Sequence, residues 1–154
     1  MFLNSLSGGV AGQRAYRQFC DVLKADLENK GITVLDYCSR PNTAVMTVGS
    51  ILPVPQLAKN EADAILVPDV EIGFFADTVL SRYKLTASGY FTLIDLKTKH
   101  AVAFGGSVMS VPLDPPAPSY WTADELVSKL PEAESSLHRA ATGLGQRIGA
   151  SIAP

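Results

Sequence analysis

The sequence predicts one mixed α/β (α+β) domain over residues 1–154, with two main helices packed on one face of a mixed sheet. Two long segments repeat apolar residues at helical spacing, and the runs between them are β-branched, aromatic or alternating. No internal repeat and no linker divides the chain. A chain of 154 residues can bury a core without metal or disulfide support. The expected element order is β-α-β-(α)-β-β-β-α.

The amino-terminal part is expected to form a βαβ unit with a right-handed crossover. A short apolar run at residues 2–3 stops at a glycine turn over residues 5–9. Residues 13–29 then form a helix, and Gly31 ends it. Its apolar stripe consists of Tyr16, Phe19, Cys20, Leu23 and Leu27. Residues 32–38 are β-branched and aromatic, which indicates a second strand.

Three successive antiparallel strands are expected next, over residues 64–75, 83–96 and 100–111, after one or two helical turns at residues 56–61. Thr122 and Glu125 form a capping box that begins a closing helix, interrupted near Pro131. The stripe of this helix consists of Leu137, Ala141, Leu144, Ile148 and Ile152. We expect it to face the first helix through Leu144 and Ile148. Trp121 and Leu126 have the spacing of a hydrophobic staple.

Composition and charge narrow the classes of partner. The formal net charge is −2, so a basic surface for nucleic acid is not expected. Charged residues make up 18% of the chain, and this low share favours a surface that meets another protein. No apolar run reaches the ~18 residues of a membrane span, and Met1 is not followed by a signal peptide. We interpret the chain as a mature or truncated form without its leader, which leaves the compartment open.

The chain contains two cysteines, Cys20 and Cys38. They permit one disulfide, but each also falls where buried thiols are common, on a helix face and at a strand end. A metal site is not indicated, because neither cysteine has a Cys or His neighbour at ligand spacing.

No complete catalytic motif occurs, so we assign no catalytic, cofactor-binding or metal-binding residue and expect no cofactor. The glycine loop at residues 5–14 lies between a strand and a helix, where an anion could bind, but it lacks the lysine of a phosphate-binding loop. Asp69 and Glu71 are two residues apart on one strand and so share a face; a solvated strand face explains them as well as acid–base chemistry does. His100 and His138 are interpreted as surface histidines.

The segment over residues 62–113 resembles small bacterial envelope lipoproteins. "ADAILVPDVEIG" is similar to their strand after a helix, and "GYFTLIDLKTKHAVAFGGSV" is similar to their paired strands, chiefly at Asp63, Asp95, Thr98 and Gly106. The closing "LHRAATGLGQRIGASIA" resembles their last helix. The usual turn glycine after Thr98 is Lys99 here, and lipidation would depend on a removed leader because no lipobox is present.

Families with this layout include the TolB amino-terminal-like fold, the curli secretion-channel lipoprotein, the Pel exopolysaccharide-export lipoprotein and the auxiliary lipoproteins of lipid ABC transporters. The resemblance implies a non-catalytic, self-associating component of the periplasm or of the inner leaflet of the outer membrane. It implies contacts with other envelope proteins, and with membrane only through a lipidated leader.

The first half of the chain also resembles nucleoside 2-deoxyribosyltransferase-like enzymes, which begin with a strand, a glycine loop and a helix. That resemblance implies a small cytoplasmic enzyme with Asp69 or Glu71 as its carboxylate nucleophile. The second half disagrees with it, because three antiparallel strands replace the expected alternation of strand and helix.

A sheet edge is the expected place for self-association. Residues 101–111 hold no charge and no proline to block edge pairing, and Gly105-Gly106 allows close approach of another backbone. We therefore expect an interface formed by Ser107 and Val108 of this strand, with Tyr120 and Trp121 of the proline-rich arm.

Overall fold

The computed structural model of the chain describes residues 10–35, 62–95, 97–98, 101–105 and 113–152. These residues form helices and an antiparallel sheet, which confirms the predicted mixture of helix and strand. The elements are α1 (Val10–Asn29), β1 (Ala64–Phe75), β2 (Lys84–Asp95), β3 (Ala101–Gly105), α2 (Ala123–Ser128) and α3 (Leu130–Ser151).

Helix α1 begins three residues earlier than predicted and ends at Asn29, as predicted, two residues before Gly31. Its buried stripe is Ala15, Phe19, Cys20, Leu23 and Leu27. Tyr16, expected in this stripe, lies at its border and is 39% exposed. Gly31 has a φ of 80°, its amide donates to the Glu28 carbonyl at 2.9 Å, and the Ile32 amide donates to the Leu27 carbonyl at 3.1 Å. This is a Schellman motif, in which amides beyond the helix pair with its last carbonyls.

Helices α1 and α3 run parallel and pack closely. Leu144 and Ile148, the residues expected to face α1, are fully buried. Gly145 lets the backbones approach, since a Cβ there would lie 2.9 Å from the Phe19 carbonyl oxygen and 3.1 Å from the Cβ of Val22. A Cβ on Gly149 would meet the Asp26 carboxylate. Two glycines of α3 therefore determine how near the helices come.

Lys30 joins the carboxyl ends of the two helices. Its Nζ donates to the carbonyl oxygens of Gly149 and of Ile152. The same Nζ lies 3.4 Å from Asp26 Oδ2. A cation at the end of a helix satisfies carbonyls that have no partner within the helix, so this side chain caps α3.

The sheet is antiparallel, with β2 between β1 and β3. Strands β1 and β2 pair along all twelve residues, from Ala64 opposite Asp95 to Phe75 opposite Lys84. Strand β3 pairs with the end of β2, and the register shifts between Leu93 and Ile94. The sheet contributes Ile72, Phe74, Ala87 and Phe91 to the core that it shares with the helices.

The predicted amino-terminal βαβ unit is not among the described elements. Residues 32–35 follow α1 but are assigned to no strand. Ile32 and Val34 pack against the core whereas Thr33 and Leu35 are exposed, so successive side chains alternate between the core and solvent. The rest of this segment, the first strand and the short helix expected at residues 56–61 lie outside the described residues.

The closing helix is divided at Lys129 into α2 and α3, as expected near Pro131. Proline is tolerated in the first turn of a helix because amides there have no helical partner, and Pro131 is the second residue of α3. Thr122 is the N-cap of α2, and its Oγ1 accepts from the Glu125 amide at 3.1 Å. The returning bond of the predicted capping box is shifted by one residue, because Glu125 Oε2 accepts from the Trp121 amide at 2.7 Å.

Cys20 is buried and disulfide-bonded. Of the two alternatives that the sequence left open, the structure has the disulfide. Cys38, the other cysteine of the chain, lies outside the described residues.

Candidate functional site

Exposed apolar side chains concentrate in two segments of the described chain. Val79 and Leu80 lie between β1 and β2 and are 101% and 86% exposed. Trp121 and Val127 lie at the entry to α2 and within it, and are 59% and 53% exposed. With Arg82, which links the two segments, these residues form what we call the Trp121 surface.

Backbone pairing holds the two segments side by side. The Tyr83 amide donates to the Tyr120 carbonyl at 2.7 Å, and the Tyr120 amide donates to the Tyr83 carbonyl at 3.0 Å. Next to this bridge, Arg82 Nη1 donates to Ser119 Oγ at 3.1 Å. The Arg82 guanidinium carbon lies 4.0 Å from the centre of the Trp121 ring. A cation over an indole face is attracted by the ring, so Arg82 and Trp121 orient each other.

Tyr120 and Trp121 are neighbours with opposite environments. Tyr120 is 1% exposed, and its ring meets Phe74 edge to face with centroids 5.3 Å apart. Its hydroxyl donates to Glu132 Oε1 at 2.9 Å. Burial, with the Glu132 carboxylate as a further cause, raises the pKa of Tyr120 to about 12. Tyr120 therefore belongs to the core and offers no surface to a partner, in contrast to the role expected for it.

A hydrogen bond to Glu125 holds the backbone of Trp121, while the indole ring remains exposed. Its amide donates to Glu125 Oε2, and this bond is the main cause that lowers the pKa of the Glu125 carboxyl. Lys129 Nζ lies 3.4 Å from Glu125 Oε1 and acts in the same direction. Leu126, the other residue of the expected staple, is buried, and the Trp121 ring lies under Arg82.

The other predicted residues are dispersed. Ser107 and Val108 lie outside the described residues, as do His100 and the glycine turn. Asp69 is opposite Tyr90 in the sheet, and Glu71 is opposite Ser88 and is exposed. His138 is exposed on α3 and lines a small open cleft with Arg14, Ala15 and Glu134. These groups do not converge on one site.

Two further classes of site are absent from the described ranges. In those residues there is no group of three or more His, Cys, Asp or Glu side chains that could hold a metal ion. Among the same residues, no helix is both long enough and apolar enough to span a bilayer.

Comparison with family models, with curated proteins and with solved structures finds no match for this chain. The resemblances described above therefore remain predictions.

Sequence reasoning found Trp121 but missed Val79, Leu80 and Arg82. A signal was present, because the Val79-Leu80 pair stands within the otherwise polar run Asp77 to Arg82. Burial does not account for an aliphatic pair in a polar turn. This pair could therefore have indicated a contact surface from the sequence.

Proposed function

We propose that the chain is a non-catalytic assembly or docking subunit of the bacterial cell envelope, located in the periplasm or at the inner leaflet of the outer membrane. It would serve an export, secretion or envelope-maintenance system as a lipoprotein-type, self-associating component. The Trp121 surface is the observation that carries this proposal.

The composition of this surface suits docking. Tryptophan and arginine are enriched among the residues that dominate binding energy at protein interfaces. Arg82 is held by Ser119 and by the Trp121 ring, and the Trp121 amide is held by Glu125. Side chains that are already ordered lose less conformational entropy on binding, so the order of Arg82 and Trp121 favours binding of a partner.

One observation supports an envelope location. The disulfide at Cys20 is typical of proteins that mature in an oxidising compartment such as the periplasm. The hairpin residues of the lipoprotein resemblance also have a local role: Asp95 Oδ1 accepts from the amides of Lys97 and Thr98 at 2.6 and 3.1 Å. An aspartate that accepts from the amides two and three residues later stabilises a turn. This explains why an aspartate suits the position before the hairpin turn.

The complete order β-α-β-(α)-β-β-β-α is part of the same proposal. It adds two amino-terminal strands, one before and one after α1, to the three described. The packing of α1 in the core that it shares with the sheet supports it, because a helix that links two parallel strands covers a face of their sheet.

The enzyme alternative is weaker. Strands β1, β2 and β3 are antiparallel, in place of the strand–helix alternation that a 2-deoxyribosyltransferase-like fold requires. Glu71, one of the two carboxylates considered as nucleophile, is exposed on the sheet. A buried pocket ordinarily surrounds such a group, so the exposure of Glu71 counts against this alternative.

Two measurements test the proposal. Fractionation of a bacterium that expresses the complete gene product should place it with the envelope, and recovery in the cytosol would refute the location.

Light scattering should show that the mass of the purified chain rises with concentration and that Trp121→Ala lowers this rise. Tyr16→Ala removes an exposed aromatic from α1 and serves as the control. A wild-type chain that stays monomeric at high concentration would contradict self-association.

A further inference from the structure

The connection between β1 and β2 carries an aliphatic pair where proteins usually place polar residues. Residues 78–81 form a turn in which the Ser81 amide donates to the Thr78 carbonyl at 3.0 Å. Val79 and Leu80 are its two central residues, and both are almost completely exposed. Glycine, proline, asparagine, aspartate and serine dominate such positions. Packing within the domain therefore does not explain why these two residues are apolar.

The turn is ordered by its own hydrogen bonds. Thr78 Oγ1 accepts from the Leu80 amide at 3.3 Å and lies 2.8 Å from Ser81 Oγ. The amides of Leu80 and Ser81 are thus paired inside the turn before any partner arrives. A backbone that enters a lipid layer must satisfy its polar groups internally, since hydrocarbon supplies no partner. This turn already meets part of that requirement.

The residues next to the turn have the properties of a membrane–water interface. Trp121 is amphipathic and exposed, and tryptophan is enriched at the level of lipid headgroups. Arg82 lies over its ring, and Lys84 is exposed at the start of β2. Long cationic side chains can lie along an apolar layer while their charge stays in water. The chain thus passes from an aliphatic tip to an aromatic and cationic layer.

The charges around the tip balance. Three acidic and three basic side chains lie in the two segments, so they sum to zero. They are Asp77, Asp124 and Glu125, against Arg82, Lys84 and Lys129. Electrostatic attraction to anionic lipid therefore does not drive membrane binding. Burial of apolar surface drives it.

The shape of the tip formed by Val79 and Leu80 favours lipid over a second protein as the partner of these two side chains. A stable protein interface takes about 20–30 residues from each side, most of them in a broad complementary surface. Here two exposed aliphatic side chains are the central residues of one tight turn. A fluid bilayer accommodates a projecting tip without a matching pocket.

We propose that Val79 and Leu80 insert into the boundary between headgroups and acyl chains of a phospholipid bilayer, with Trp121 and Arg82 at the headgroup level. This inference rests on the proposed envelope location and adds a direct membrane contact that needs no lipid anchor. Two inserted side chains give weak and reversible binding, since even a single myristoyl chain binds membranes only marginally.

Vesicles of phosphatidylcholine and the full chain provide the test. Trp121 is the single tryptophan, so its emission reports this site alone. We expect a blue shift with vesicles, quenching by brominated lipid, and little change with salt. The double variant Val79→Ser, Leu80→Ser should lower the partition coefficient at least tenfold.

The matched control is Leu35→Ser. Leu35 is exposed in the segment that follows α1, whereas Trp121 precedes α2. Leu35 therefore belongs to neither segment of the Trp121 surface. Leu35→Ser should therefore bind vesicles like the wild type. Equal unfolding midpoints would show that all variants remain folded.

Two results would overturn the proposal: a wild-type chain that does not bind the vesicles, or a double variant that binds them as the wild type does. If the wild type does not bind vesicles, and the double variant has a lower mass than the wild type without lipid, then a second copy of the chain is what contacts Val79 and Leu80. Fractionation tests the envelope location independently, so a failure of lipid binding is distinguishable from a failure of the proposed function.

Discussion

The contact between α1 and α3 and the Trp121 surface use apolar residues in opposite ways. Between the helices, Leu144 and Ile148 are fully buried and Gly145 leaves no room for a methyl group. At the Trp121 surface, Val79 and Leu80 are exposed although burial would stabilise them. The first region is close-packed, so its sequence is explained by stability. The second is not explained by stability, and this is the reason to look for its function in contacts outside the chain.

The largest expected effect lies in the helix contact. Leu144→Ala should lower the free energy of unfolding by about 2–5 kcal/mol, because it leaves a cavity at a fully buried position. Denaturant titration with an unchanged m-value measures this loss. A change near zero would place α3 on the surface and remove the contrast between the two regions.

The next effect concerns Tyr120, the core residue beneath the Trp121 surface. Its pKa is raised to about 12 from an ordinary value of 10.0. A raised pKa contributes stability that is present below pH 10 and is lost as the pH rises through 12, because the unfolded chain releases the proton first.

The free energy of unfolding of the wild type relative to Tyr120→Phe should therefore fall between pH 10 and pH 12. Tyr120→Phe keeps the ring and removes the proton that titrates, so the difference between the two proteins isolates this hydroxyl from other tyrosines. A difference that is constant over this range would mean that the hydroxyl is solvated.

The smallest effect is expected at the Trp121 surface itself. Arg82→Ala should lower the free energy of unfolding by no more than about 1 kcal/mol, since an exposed cation–π contact contributes ~0.5–1 kcal/mol. The same variant should shift the Trp121 emission, because the ring loses the guanidinium at 4.0 Å. A loss as large as that of Leu144→Ala would show that this surface is structural and would weaken the case for docking.

Several elements followed from the sequence alone because their causes are local. The stripes of α1 and α3 repeat at helical spacing, and Pro131 and Thr122 act within one turn of their own positions. The Asp95 turn and the glycine end of α1 are equally local. For these features, the physical reason lies within a few residues of chain.

The candidate site was only partly predictable, because it depends on residues far apart in the sequence. Tyr120 and Trp121 are adjacent aromatics, and only pairing with Tyr83 decides that one enters the core and the other remains outside. Val79 and Leu80 could have been strand residues by composition, and the hydrogen bonds of their turn make them an exposed apex.

The sequence by itself thus determined the mixed helix-and-strand class, most of α1 and α3, and the division of the closing helix. Only the tertiary structure decided that Gly145 and Gly149 bring two helices together and that Arg82 joins Trp121 to the β1–β2 turn. The physical reason is that periodicity and turn chemistry act within a few residues. Close approach and exposure depend instead on which distant segments pack against each other.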